Sequence, residues 1–430
     1  MYWNKEAETI ETTLLDKLQA DRLRSTVETL YANVQFYKSQ MDRAGVKPSD
    51  IKTAADIRKL PFTTREDLRE NFPDGLLAVS KENIVRLHTS SGTTGKPKAI
   101  YFSRHDLDAA SELMARNLYM TGLRRSDTLQ NMMTYGLFTG ALMMHYGAEK
   151  IGCTVIPAGP GNTARQISLM QDFGTTAIHI TPSYSLYLAS VLQKQGIDPE
   201  RDLSIKKAYI GAEPYTEETR NKIESLLKVD AYNCYGLSEM NGPGVAFECE
   251  FKNGLHLWED NFIMEILDPV TGETLPDGAE GELVLTTLNR EAMPILRYRT
   301  KDITKILTDK CPCGRTHRRI HRIIGRADDM FIVKGVNIYP QQIERVLMSI
   351  KGVAENYQIN LENLDKMTVK VEIDSNMFDG NVEHIVNLRN EITELLKDEI
   401  LVKPTVELLE PGTLPFSEGK AVRVIDTRTM

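Results

Sequence analysis

The stretch HTSSGTTGKPKAIYF, residues 88–102, gathers five serine and threonine hydroxyls, two glycines and two lysines. Thr89, Ser90, Ser91, Thr93 and Thr94 offer hydroxyl donors, Gly92 and Gly95 let backbone N–H groups approach an anion closely, and Lys96 supplies a neutralising charge. Such a set wraps phosphate oxygens. A Walker loop needs four residues between its glycines and a Ser or Thr after the lysine. Here two residues separate Gly92 from Gly95, and Pro97 follows Lys96. Strands are predicted on both sides, IVRLH (84–88) and KAIYF (98–102), so the loop does not open a helix and a helix dipole is not what holds the anion. A flexible polar surface loop is the plain alternative.

A second cluster has metal-ligand chemistry. Cys311-Pro312-Cys313-Gly314 resembles a knuckle, and Cys249 with His256 adds two soft ligands from the same run of short strands. Three thiols and an imidazole are what structural Zn²⁺ takes. The C-x-C spacing departs from the common C-x-x-C, His317 or His321 can substitute for His256, and neighbouring free thiols in a turn are the simpler account. Cys153 and Cys234, in apolar runs, read as core.

The elements that must position these groups are those of a large α/β chain. A length of 430 residues suits more than one domain. With 41% hydrophobic and 26% charged residues it is globular in composition. A net charge of −8 does not fit a general polyanion binder, so no nucleic-acid partner is expected. No run approaches the roughly 20 apolar residues of a membrane span, GLFTGALMMHYGA being the nearest, so no membrane partner is expected either. Five cysteines argue for a reducing compartment and a cytoplasmic protein. The opening MYWNKEAETIETTLLDKL reads as an amphipathic surface helix. Ser103 and Asp106 form a capping box into a long helix. Apolar strands (CTVIP, TAIHIT, KAYIGA, DAYNCYG) then alternate with helices (TARQISLMQDFG, TEETRNKIESLL), the pattern of a parallel sheet. Residues 247–325 shift to short strands with turn pairs, as in an antiparallel or barrel-like element. A final segment carries helices at 341–350 and 381–399 and strands TVKVEI and TVELL. The expected division is a large domain, 1–326, and a smaller α+β domain, 327–430.

The loop TSSGTTGKPK resembles the signature of the adenylate-forming, or acyl-CoA synthetase, superfamily. Further matches follow in the family's order: GAEP (211–214), YGLSE (235–239), YRTKD (298–302), IGRADDMFIVKGVNIYP (324–340) and PFSEGK (415–420). NMMTYGLFTG (131–140), HLWEDN (256–261) and CPCGRTHRRI (311–320) are similar to the phenylacetate-CoA ligase branch. The resemblance implies ATP-dependent activation of an aromatic acid as acyl-AMP, then transfer to coenzyme A. It also implies roles. The loop holds the β and γ phosphates of ATP; Glu239, beside Ser238, holds Mg²⁺; Tyr235 and Gly236 lie against the adenine, with Gly211, Ala212, Glu213 and Pro214 on another side. Asp302 and Arg326 take the ribose. Lys420 bridges the substrate carboxylate and the α-phosphate, making Lys420, Glu239 and Lys96 the catalytic set. Asp328 matches the hinge of a mobile C-terminal domain, and Lys334-Gly335 the loop that enters for thioester formation. Tyr135 and Phe138 fall where an aryl acid is enclosed; Ala141, where the branch often has glycine, departs from the pattern. A homodimer is an admissible assembly. Two other readings stand beside this one: AMP transfer to a cofactor hydroxyl, and a catalytically silent nucleotide-binding protein.

Overall fold

A computed structural model describes residues 1–89, 97–363, 366–374, 382–415 and 421–428. The chain divides into two compact units, 1–159 with 232–323, and 160–231 with 324–430.

In the first unit the strand Arg86–Thr89 pairs antiparallel with Ala99–Phe102, so the hydroxyl-rich segment links two paired strands. The helix Arg104–Met120 follows, and Ser103 and Asp106 close its capping box. It packs on Thr139–Ile151, where a Cβ at Gly147 would meet Met114 Cγ at 2.3 Å; only glycine admits that approach. Thr128–Asn131 and Thr154–Ile156 run parallel. The strands Ile306–Leu307, Arg319–Ile320, Leu255–Leu257, Gly242–Glu248 and Asp230–Leu237 follow one another across an antiparallel sheet. A second antiparallel sheet is built from Phe262–Leu267, Gly281–Thr287 and Tyr298–Thr304. The expected short-strand region at 247–325 is therefore antiparallel.

The opening segment differs from expectation. Helix forms only over Lys5–Glu8, capped by the Asn4 side chain, before the long helix Thr12–Asn33. Glu8 is fully buried, not on a surface face. A distant arginine, Arg315, takes its charge.

In the second unit Ala177–Ile180 and Lys207–Gly211 run parallel, flanked in sequence by the helices Pro182–Lys194 and Glu217–Leu227. The later segment forms a mixed sheet in the order Thr405–Leu409, Met367–Ile373, Val353–Leu361 and Val424–Asp426. Helices Pro340–Ser349 and Val382–Ile400 contribute Ile343, Leu347, Ile392 and Leu396 to a core shared with Ile359 and Val369 of the sheet. Buried Glu344 receives hydrogen bonds from Thr219 and, at 3.0 Å, from the Tyr357 hydroxyl. The expected combination of parallel strand–helix units with an α+β segment is what is found.

Candidate active site

The strand Asp230–Leu237 ends in one 3-10 turn, Ser238–Met240, which carries the Glu239 side chain inward to 3% exposure. Gly236 makes the turn possible: a Cβ there would lie 1.6 Å from the Gly242 carbonyl oxygen. Lys98 Nζ and, at 2.9 Å, the Tyr298 hydroxyl both donate to Glu239 Oε1, while the Arg290 guanidinium donates to the Glu239 carbonyl. Burial pushes the Glu239 carboxyl up. The Lys98 charge and the two hydrogen bonds outweigh it, and the net shift is downward. The carboxylate is thus held charged inside the protein. Burial first, then the neighbouring carboxylate, raises the Tyr298 hydroxyl well above its ordinary range and keeps it a donor.

Lys98 is the downstream end of the phosphate-type loop. At the upstream end, the backbone N–H of Thr89 donates to the Leu137 carbonyl at 2.9 Å and the His88 ring lies 3.1 Å from the same oxygen through Nδ1. One end of the loop is tied to Glu239, the other to the segment proposed to enclose the acid. Ser90, Ser91, Gly92, Thr93, Thr94, Gly95 and Lys96 lie outside the described residues, as does Lys420. Within that acid segment the Tyr135 hydroxyl accepts from Asn131 Nδ2 at 2.9 Å and lies 3.0 Å from His145 Nδ1. Burial pushes its pKa up to about 12, so it stays protonated. Phe138, just before the helix Thr139–Ile151, is 39% exposed.

Tyr235, half-buried on the strand before the turn, donates its hydroxyl to Asp302 Oδ2 at 2.6 Å. Asp302 is buried on Tyr298–Thr304, four residues beyond the Glu239 partner Tyr298. In this unit the structure therefore joins the strand–turn Asp230–Met240, which carries Tyr235, Ser238 and Glu239, to Tyr298 and Asp302 of the strand Tyr298–Thr304 through side-chain hydrogen bonds.

In the second unit, Lys207–Gly211 runs into a turn where Ala212 takes φ +68°, a left-handed conformation uncommon for alanine. The turn presents Glu213, followed by exposed Pro214. Glu213 accepts from the Ser183 N–H at 3.2 Å, from its hydroxyl at 2.8 and 2.9 Å, and from the Ala421 N–H at 2.7 Å. Ala421 is the residue next to Lys420, so the chain just after the PFSEGK motif is fastened to the GAEP turn. Arg326 pairs with Asp328 through two bonds, Nε–Oδ1 at 2.9 Å and Nη2–Oδ2 at 3.1 Å. Lys334 and Gly335, with φ +51° and +77°, are the two-residue turn of the hairpin Phe331–Val333/Val336–Ile338, and both are exposed. That is the geometry in which a two-residue hairpin matches strand twist. Arg423 precedes the strand Val424–Asp426 and stacks on Tyr357 at 4.4 Å.

The thiol–imidazole group also assembles. Cys249, His256, Cys311 and Cys313 place one ligand atom each within 4.8 Å of one another. His317 and His321 are not part of it: His317 accepts from the Glu259 N–H at 3.1 Å and its Nε2 lies 2.8 Å from the Ala7 carbonyl, while His321 Nδ1 lies 3.1 Å from the Arg322 carbonyl. Cys153 and Cys234 are buried, as expected of core cysteines, and all five are free.

The model of the family "AMP-binding enzyme" matches residues 6–289, and that of the "AMP-binding enzyme C-terminal domain" matches residues 335–428. Phenylacetate-coenzyme A ligase of Thermus thermophilus is 44% identical, the match covering 100% of both chains, and that of Escherichia coli (strain K12) is 41% identical, covering 100% of this chain and 99% of its own. The chain belongs to the phenylacetate-coenzyme A ligase family of AMP-binding enzymes. Among solved structures, 2-hydroxyisobutyryl-CoA ligase in complex with 2-HIB-AMP in the postadenylation state superposes with a TM-score of 0.94 at 28% identity, covering 99% of this chain and 92% of its own. The enzyme is an acid–thiol ligase.

Several groups of this ligase that touch the motif residues escape motif reading. Lys98 belongs to the signature loop but was read only as the start of a strand, and Tyr298 only as the first letter of YRTKD. Arg290 and Ser183 sit in no motif. A cation and a tyrosine bracketing an acid destined for burial were the available signal for the first two; only folding brings Arg290 and Ser183 to their partners.

Proposed function

We propose that this ligase converts an aromatic, phenylacetate-like carboxylic acid into its acyl-CoA by way of an acyl-adenylate. A carboxylate oxygen attacks the ATP α-phosphorus and pyrophosphate leaves. The coenzyme A sulfur then attacks the acyl carbonyl, giving up its proton, and AMP leaves. Both partners of the first step are anions, so charge neutralisation and positioning are the chief demands. The observation that carries the reading is Glu239: a buried carboxylate kept charged and tied through Lys98 to the loop assigned to the phosphates.

Glu239 fits Mg²⁺, which binds through one or two carboxylates plus substrate phosphates; when bound, Mg²⁺ neutralises triphosphate charge. Thr89 to Gly95 with Lys96 hold the phosphate tail, Tyr235, Gly236 and Gly211–Pro214 the adenine, and Asp302 and Arg326 the ribose. Lys420 bridges the carboxylate and the α-phosphate, a placement supported by the bond from its neighbour Ala421 to Glu213. Tyr135 and Phe138 enclose the acid. Residues 1–326 form the adenylation domain and 327–430 the mobile one, with Asp328 at the hinge and Lys334-Gly335 entering for thioester formation. The matched family ranges end at 289 and resume at 335, which supports a boundary between them. A structural Zn²⁺ at Cys249, His256, Cys311 and Cys313 and a cytoplasmic setting complete the reading.

The test is a panel of arylacetic, aromatic and aliphatic acids assayed for ATP- and CoA-dependent AMP formation. Arylacetic acids should head the panel; AMP formation with aliphatic acids alone would remove the substrate assignment.

A further inference from the structure

The four zinc-type ligands lie at the tips of two adjacent hairpins. Cys249 directly follows the strand Gly242–Glu248, and His256 is on Leu255–Leu257, paired with Phe247. Cys311 and Cys313 lie between Ile306–Leu307 and Arg319–Ile320, and Arg319 pairs with His256. Cys249 and Cys311 sulfurs are 3.6 Å apart, and Cys313 Sγ is 3.3 Å from His256 Nε2. These are close to the edges of a tetrahedron with zinc–ligand distances of about 2.0–2.3 Å, which run to roughly 3.5–3.8 Å. His256 is fully buried and its Nε2 faces Cys313. A buried imidazole nitrogen set among three thiols needs an ion or a proton between them.

The residues that follow the last ligand all hold the segment Met1–Ile10. The Tyr2 hydroxyl donates to the Cys313 carbonyl at 2.9 Å and stands where a Cβ on Gly314 would meet it at 2.5 Å. Arg315 donates to Glu8 Oε2 at 2.8 Å and to the Met1 carbonyl at 2.7 Å, with both ionic side chains almost completely buried. Thr316 donates its hydroxyl to the Ile10 carbonyl at 2.8 Å, and His317 Nε2 donates to the Ala7 carbonyl at 2.8 Å. A buried ion pair is stable only where its geometry is fixed. The turn that begins at Cys311, closed by the Gly314 N–H on the Cys311 carbonyl at 3.1 Å, carries these residues.

We infer that Zn²⁺ bound by Cys249, His256, Cys311 and Cys313 is the staple that docks the segment Met1–Ile10, by locking the 311–317 turn in the form that receives Glu8. This rests on the zinc reading above and adds its consequence. Binding releases the protons of the three thiols and changes no oxidation state.

The experiment uses the full chain purified under reducing conditions. Elemental analysis should find one zinc per chain. Stripping with 1,10-phenanthroline should raise amide hydrogen exchange in residues 4–10 by about tenfold or more, with protection restored by added zinc. Arg315→Ala should loosen the same amides while zinc content stays unchanged. Folded protein without zinc, or with Cys249 and Cys311 joined as a disulfide, overturns the zinc reading and the staple together. Stoichiometric zinc with exchange in residues 4–10 unchanged on stripping overturns the staple alone, and loss of zinc in Arg315→Ala overturns the direction of the dependence.

Discussion

Lys98 and Glu239, 141 residues apart, form an ion pair whose side chains are 10% and 4% exposed. The pair joins the end of the phosphate-type loop to the acid proposed for Mg²⁺. Removing one member strands the other in the interior, at about 3–5 kcal/mol. Lys98→Met should therefore lower the urea midpoint far more than the double variant Lys98→Met/Glu239→Gln, which leaves no charge behind. Equal losses in the two proteins would show that the pair is not energetically coupled.

Tyr235 and Asp302 test the nucleotide assignment. Asp302 accepts a hydrogen bond from Tyr235, and a carboxylate, as an acceptor-only group, suits the two hydroxyls of a ribose. Asp302→Ala should raise the KM for ATP by about 10–100-fold, the worth of hydrogen bonds to a charged group. Tyr235→Phe, which keeps the carboxylate, should raise it less. Steady-state kinetics at saturating acid and CoA read both; an unchanged KM in Asp302→Ala would remove the residue from the nucleotide site.

Glu213 fastens Ala421, the neighbour of Lys420. Its truncation should act on the chemical step through the position of the lysine. Glu213→Ala should lower the rate of acyl-adenylate formation by about tenfold, the loss expected when a positioning hydrogen bond goes. Transfer from preformed acyl-adenylate to CoA should be spared. Single-turnover measurement of the two half-reactions separates these, and equal slowing of both would contradict the positioning role.

His179, buried on Ala177–Ile180, has its pKa lowered by burial to about 3. Its folded value lies below the unfolded 6.5, so between those values the unfolded chain binds the extra proton and stability falls as pH falls. At pH 5 the loss from this residue alone is about 2 kcal/mol relative to pH 7. Thermal midpoints of the wild type should drop more steeply from pH 7 to 5 than those of His179→Gln. Parallel slopes would mean that the histidine titrates in the folded protein as it does in the unfolded chain.

Much of this was legible in the sequence where chemistry and position coincide locally. The strands on either side of the hydroxyl-rich segment, the Ser103–Asp106 cap and the period change at 247–325 are all set by neighbours a few residues away. The cysteine cluster was visible as a ligand set with His256, but His317 and His321 stayed open as substitutes because composition does not separate the three; the fold does, bringing His256 Nε2 to 3.3 Å from Cys313 Sγ. Glu8 was misread for the same reason. An acid in a periodic run looks solvated until Arg315, 307 residues away, is brought to it.

The most direct measurement is acid-dependent exchange of labelled pyrophosphate into ATP with coenzyme A left out. If adenylation comes first, an arylacetic acid alone should start the exchange and Lys420→Ala should suppress it. Exchange that is absent with every acid, or that appears only when coenzyme A is added, would contradict the acyl-adenylate route.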